Sequence, residues 1–199
     1  MTSRPAGQAV SGAPPSDAEL LSEVAAGKLS ALGRLYDRHH QPVYRFCARM
    51  TGSDADADDI THQTFLTVAR IAGTYDGRAS VRAWVLGVAA RYLADQRRAS
   101  ARLRRFLGRL LAEQEPARDL RAAAEARLEL GAVARALDEM PFEKRAALLL
   151  FEVEGLSGEE IGGALGVPVG TVWTRLHAAR KELSRVLPRH EDDDEEVTR

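Results

Sequence analysis

Residues 156–187, LSGEEIGGALGVPVGTVWTRLHAARKELSRVL, constrain what this chain can fold into more than any other stretch. Ser157 is a strong N-cap, and Glu160 three residues later completes a capping box, so a helix is predicted to start there. Ile161, Ala164 and Leu165 give that helix one apolar face. Gly166 stands where a left-handed residue would end it, and Pro168 suits the opening of the next helix. With about 100° per residue, Val172, Leu176, Ala179, Leu183 and Val186 fall within about 40° of one direction. Gly170, Thr174, His177, Lys181 and Ser184 point the opposite way, with Trp173 and Arg180 on the flanks. Two helices, a short turn, one buried face and one bare polar face make a helix-turn-helix whose second helix suits a major groove. An ordinary helical hairpin is the alternative left open by the pattern.

Composition limits the rest. The 199 residues can hold one domain or two small ones, and 45% hydrophobic content is ample for folded cores. Aromatic content of 6% favours small helical domains over a β-rich one. No apolar run approaches the roughly 18 residues of a membrane span. The N-terminus lacks the basic-then-apolar layout of a secretory signal. One cysteine, Cys47, excludes an internal disulfide and a multi-cysteine zinc site, which suits a cytoplasmic protein. The net charge of −1 conceals an uneven distribution.

The expected fold is all-α: two small helical domains joined by a flexible, partly helical linker, the second domain containing the helix-turn-helix. Residues 1–16 are rich in Pro, Gly, Ser and Ala and read as a disordered leader. Residues 17–98 form the first domain. In it a short helix precedes a longer one, interrupted or kinked near Pro42. An acidic start at Asp54–Asp59 opens a helix to about Ile71, a loop covers 73–80, and a further helix spans about Val81 to Arg98. Residues 99–126 are the linker, rich in arginine and broken by Pro116. Residues 127–188 form the second domain, with a helix to about Glu139, another opened by Pro141, and then the helix-turn-helix. Residues 189–199 form an acidic tail with six acids in a row at 191–196, which are expected to be solvated and are of the charge that repels DNA or covers a basic surface.

Catalytic constellations are absent from this reading. Asp54, Asp56 and Asp58 have the spacing of a calcium loop, but Asp59 and Phe65 occupy the places that need glycine and glutamate. The histidines 39, 40, 62, 177 and 190 make no metal-ligand spacing, and the glycines 162, 163 and 166 make no phosphate-binding fingerprint. No cofactor and no metal are expected. Nucleic acid is the better-supported partner. Between residues 76 and 110 nine arginines, among them Arg78, Arg82, Arg91, Arg97 and Arg98, meet two acids, Asp76 and Asp95. Tyr75, Trp84 and Tyr92 lie in or beside the same stretch, so cations for phosphates are mixed with platforms for unstacked bases. Trp84, within Val81, Trp84, Val85 and Val88, reads as core before it reads as a base platform.

These residues resemble a known family. Glu159-Glu-Ile161, then 165–172 (LGVPVGTV), then 175–181 (RLHAARK), are close to the wording of the extracytoplasmic-function (ECF) sigma factors of bacterial RNA polymerase. Leu35-Tyr36, Tyr44-Arg45, Asp58-Asp59-Ile60, Thr64-Phe65-Leu66 and Arg82-Ala-Trp84 follow the family pattern in order. The resemblance covers roughly residues 28–98 and 127–187. It implies core RNA polymerase and promoter DNA, duplex and melted, as partners, and admits an anti-sigma factor, with no membrane. It implies that the helix from Asp58 to Arg70 docks on the polymerase, through Asp58, Asp59, His62 and Gln63. It implies that the loop 74–80 captures a flipped base of the minus-ten element and that 81–98 lies along the melted strand. Residues 168–181 would read the minus-thirty-five element. There, Trp173, Thr174 and His177 are expected to discriminate bases, and Arg175, Arg180 and Lys181 to hold phosphates.

Two other readings compete. A conventional helix-turn-helix regulator that does not join the polymerase accounts for the second domain and gives the first no purpose. An enzyme acting on nucleic acid has no catalytic group to use.

Overall fold

The computed structural model describes residues 14–110 and 128–186, so most of the leader, the linker from residue 111 onward and the acidic tail lie outside the described residues. Among the described residues the chain is all-α, with eight α-helices and a single 3-10 turn at Ala72–Thr74. They are α1 (Asp17–Ala25), α2 (Leu29–Thr51), α3 (Asp54–Ile71), α4 (Val81–Leu110), α5 (Leu128–Glu139), α6 (Phe142–Glu152), α7 (Gly158–Leu165) and α8 (Val169–Leu183).

Local chemistry starts and stops these helices. At α1, Ser16 caps the Glu19 amide and the Glu19 carboxylate accepts from the Ser16 amide at 2.7 Å, a closed capping box. Asp17 in its first turn then accepts from His39 at 2.7 Å and Arg38 at 2.6 Å, tying α1 to α2. Burial pushes the Asp17 carboxyl up, but those hydrogen bonds outweigh it and hold the group below the usual carboxylate range. Ser53 caps α3 through the Asp56 amide.

Two helices outrun their expected limits. α2 continues unbroken through Pro42. Proline removes one backbone hydrogen bond, but Leu35 and His39 before it and Val43, Phe46 and Cys47 after it are buried on one stripe. Burial of each large apolar side chain contributes about 1.5–3 kcal/mol, enough to carry the helix past one missing bond. α4 passes the expected end at Arg98 and reaches Leu110, because no proline stands between Val81 and Leu110 and the Arg, Ala and Leu beyond Arg98 favour helix.

The first four helices pack around α2, and the last four around α8. Phe46, Leu20, Leu21, Leu35, Val43, Val68, Val85 and Leu86 fill the first group, and Leu150, Ile161, Val172 and Leu176 the second. The halves do not stand apart: α4 packs on α7 and α2 on α6, so the buried residues form a continuous cluster. One close approach is at Gly87 of α4, where an added Cβ would lie 2.5 Å from the Ala164 carbonyl oxygen of α7. Cys47 is wholly buried in this cluster, and burial pushes its thiol up to about 12, far from a reactive thiolate.

Candidate polymerase and nucleic-acid interface

The helix-turn-helix forms as its local signals require. Ser157 caps the Glu160 amide while the Glu160 carboxylate accepts from the Ser157 amide at 3.0 Å. Gly166 ends α7 in the left-handed region at φ 67°. Val172, Leu176 and Ala179 of α8 are buried, and Leu183 is half-buried. Val186, expected on the same stripe, lies past the end of α8 and is exposed, since the helical repeat that would have turned it inward stops at Leu183.

The opposite face of α8 is open. Gly170, Thr174, His177, Lys181 and Ser184 are all exposed. The Thr174 hydroxyl donates back to the Gly170 carbonyl at 2.9 Å, leaving its methyl and oxygen at the surface of the helix. The flanks differ from that face. Trp173 meets Phe151 edge-on at 5.8 Å and lies over Gly158 at the start of α7, yet keeps 46% of its surface exposed. Arg180 is clamped to Glu152 of α6, its Nη2 donating at 2.7 Å, while its guanidinium covers the Phe151 ring at 5.1 Å. Arg175 is half-buried. Of the six α8 residues singled out in the sequence, Thr174, His177 and Lys181 therefore stand clear, and Arg180 holds α8 to α6.

On α3, Asp58, Asp59, His62 and Gln63 are exposed together. Asp59, His62 and Gln63 border a cleft of about 900 Å³ between the halves, opposite Asp138, Phe142 and Arg145. Leu66, one turn further, exposes 55% of its surface, an apolar group beside these acids and amides.

The arginines around α4 do not share one face. Taking about 100° per residue, Arg91 and Arg98 lie roughly opposite Arg82. Arg91, Arg98 and Arg102 are exposed, with Arg98 paired to Asp95. Arg78 is in the loop, mostly in water beside Asp76. Arg82 and Arg97 instead turn to the other half: Arg82 donates to Glu154 at 2.8 Å, and Arg97 lies 5.8 Å above the Phe142 ring. Tyr75 and Trp84 pack edge-on at 5.7 Å, and the Tyr75 hydroxyl donates to the Ala79 carbonyl, so both brace the loop before α4. Tyr92, like Trp84, is half-buried.

Residues 35–103 match the family model for sigma-70 region 2, and residues 130–183 match that for sigma-70, region 4. The ECF RNA polymerase sigma factor SigM of Mycobacterium tuberculosis is 34% identical over 175 residues, 86% of this chain and 85% of that protein. The chain belongs to the ECF sigma factors.

SigE of Mycolicibacterium smegmatis is 35% identical over 162 residues, which are 80% of this chain and 62% of SigE, so the chain spans under two thirds of that relative. The solved structure of CnrH in complex with the cytosolic domain of CnrY matches with a TM-score of 0.62 at 27% identity, covering 85% of this chain and 96% of CnrH. Sigma factors direct RNA polymerase to promoters and are non-enzymatic transcription initiation factors. A regulator that acts apart from the polymerase is not favoured, because it leaves the region 2 match without a role.

Sequence reasoning missed three side chains of this sigma factor. Glu154 and Arg145 are buried charges, and Arg45 shares Glu154 with Arg82. Arg145 donates to the Arg49 carbonyl at the C-terminal end of α2 and to Asp138 at 3.1 Å, a cation placed where a helix end presents unpaired carbonyls. Ser80 donates to Glu160 at 2.6 Å from the other half. That bond, then the Ser157 amide, holds the Glu160 carboxyl below its usual range. Arg145 carries one sequence signal, a charge at the head of the apolar run 146–151. Glu154 carries none, and Arg45 figures only in the family resemblance, with no sign of its pairing, because the partner is distant in the chain.

Proposed function

We propose that this sigma factor joins core RNA polymerase through the exposed face of α3 and directs promoter recognition, melting and initiation. Residues 17–98 act as the polymerase and minus-ten module, and residues 127–188 as the minus-thirty-five module, with 99–126 between them. Asp58, Asp59, His62 and Gln63 form the polymerase contact, with Leu66 as its apolar neighbour. Thr174 and His177 read base edges in the major groove, with Lys181 on phosphate and Arg175 reaching sideways to the backbone. Trp173 and Arg180 act first as the clamp that sets α8 against α6 and α7. Arg78, Arg91 and Arg98 track the melted strand, and two linked modules raise affinity through effective concentration.

The observation that carries this reading is the order of two family matches in one chain, with the polar face of the second module's helix open to solvent. The protein acts in the cytoplasm and performs no catalysis itself. No helix among the described residues is long and apolar enough to cross a membrane. CnrH is solved with the cytosolic domain of CnrY, and an anti-sigma factor belongs with the partners we extend to this chain.

Run-off transcription with purified core polymerase tests the reading. Transcripts that depend on this protein are expected. Asp58→Arg combined with Asp59→Arg should abolish them and weaken core binding without changing circular dichroism. Normal core affinity in that double variant would remove the assignment of α3.

A further inference from the structure

We propose, on the reading that α4 lines the melted strand, that Arg45 and Arg82 form a seat for a DNA phosphate, occupied in the closed chain by Glu154 as an internal stand-in. Glu154 follows α6, and its side chain is wholly buried. Its Oε2 accepts from Arg82 at 2.8 Å and from Arg45 at 3.0 Å, while Oε1 has no hydrogen-bond partner among the described residues. A buried carboxylate is tolerated where cations neutralise it, and an oxygen left bare makes the fit incomplete. A phosphate offers the same pair more acceptor oxygens, and guanidinium forks suit that geometry.

The seat belongs to the first half and its occupant to the second. Arg45 lies on α2 and Arg82 on α4, with 43% and 35% of their side chains exposed even in the closed chain. A second carboxylate, Glu160, takes the Ser80 hydroxyl just ahead of α4. Further along α4, α7 approaches the backbone at Gly87 so closely that an added Cβ would lie 2.5 Å from the Ala164 carbonyl oxygen. The start of α4, where the loop delivers a strand, is thus covered by carboxylates of the same chain. The polar face of α8 is not covered, with Thr174, His177 and Lys181 exposed. The closed sigma factor is therefore open to duplex DNA and withholds part of its single-strand site until the halves separate.

The test uses the full chain, a short mixed-sequence single-stranded oligonucleotide and the duplex of the same sequence. Gly87→Ala wedges the halves apart without touching a charge, and Glu154→Gln removes the stand-in charge. If about nine molecules in ten are closed, opening tightens strand binding about ten-fold, because apparent affinity scales with the competent fraction. Duplex binding should stay as it is, and small-angle scattering of the Gly87→Ala chain should show expansion. Arg45→Ala or Arg82→Ala in the Gly87→Ala background should reverse most of the gain and reduce the salt dependence by about one ion. Expansion without tighter strand binding, or a gain that both arginine substitutions leave intact, overturns the seat. Folded variants that neither expand nor bind the strand more tightly overturn the gating by Glu154. Run-off transcription by the unmodified chain separates the outcomes: if it depends on the protein while the oligonucleotide results fail, the seat falls and the sigma-factor reading stands.

Discussion

On α8, Thr174, His177 and Lys181 project from the fold, whereas on α4 Arg82 and Arg97 turn against the other half and Arg91 and Arg98 face water. Both helices carry basic side chains on a polar surface, and both were read from sequence as nucleic-acid contacts. They differ in where their packing partners come from. α8 rests on α6 and α7, its neighbours in the chain, and that local packing leaves one whole side clear. α4 rests on α2, α3 and α7, so it has neighbours from both halves. Arg82 meets a carboxylate 72 residues away in sequence. A surface set by local packing can be read from periodicity alone; a surface set between halves cannot.

The largest effect that would sharpen this contrast is expected at Leu176, fully buried beneath the polar face of α8. Leu176→Ala should cost about 2–5 kcal/mol of stability in a denaturant titration and take duplex binding with it. If α8 depends on local packing, amide exchange in α7 and α8 should rise before it rises in α1 to α3.

His177→Ala probes the open face without touching the core. It should leave the melting temperature unchanged and cost on the order of 1–3 kcal/mol on the preferred promoter, relaxing preference at one or two base positions. A uniform loss over single-base promoter variants would move His177 from base reading to phosphate holding.

Next come two cations one residue apart. Lys181→Ala should weaken all duplex sequences alike and lower the salt dependence by about one ion. Arg180→Ala should instead cost up to about 1 kcal/mol of fold stability through the lost Glu152 pair, with a smaller change in salt dependence. Equal salt slopes for the two variants would show that Arg180 leaves Glu152 when DNA binds.

The smallest effect lies at Glu160, which faces the Ser80 hydroxyl, the Ser157 hydroxyl and amide, and the Arg82 charge. Its carboxyl sits below the unfolded value, so its contribution is complete above the ordinary carboxylate range and is lost as pH falls through the folded value. Comparison of the native chain with Glu160→Gln in thermal melts should therefore show a small stability difference at neutral pH that shrinks on acidification. A difference that grows in acid would mean that the Ser80 contact does not favour the charged form.

The sequence by itself determined the helix-turn-helix, because its parts are local: a capping box three residues apart, a glycine that can take a positive φ, and an apolar repeat with the helical period. For the same reason it determined the acidic start of α3 and the all-α class. Tertiary structure decided the rest. It carried α2 through Pro42 by burying the stripe on either side, and it placed the Trp173 ring over Gly158 instead of in open solvent. It divided the arginines of α4 into exposed and covered sets, and it chose Glu154 and Arg145 as charges to bury. A buried charge persists only where a counter-charge or carbonyl arrives from elsewhere in the fold, and no spacing along the chain records that arrival.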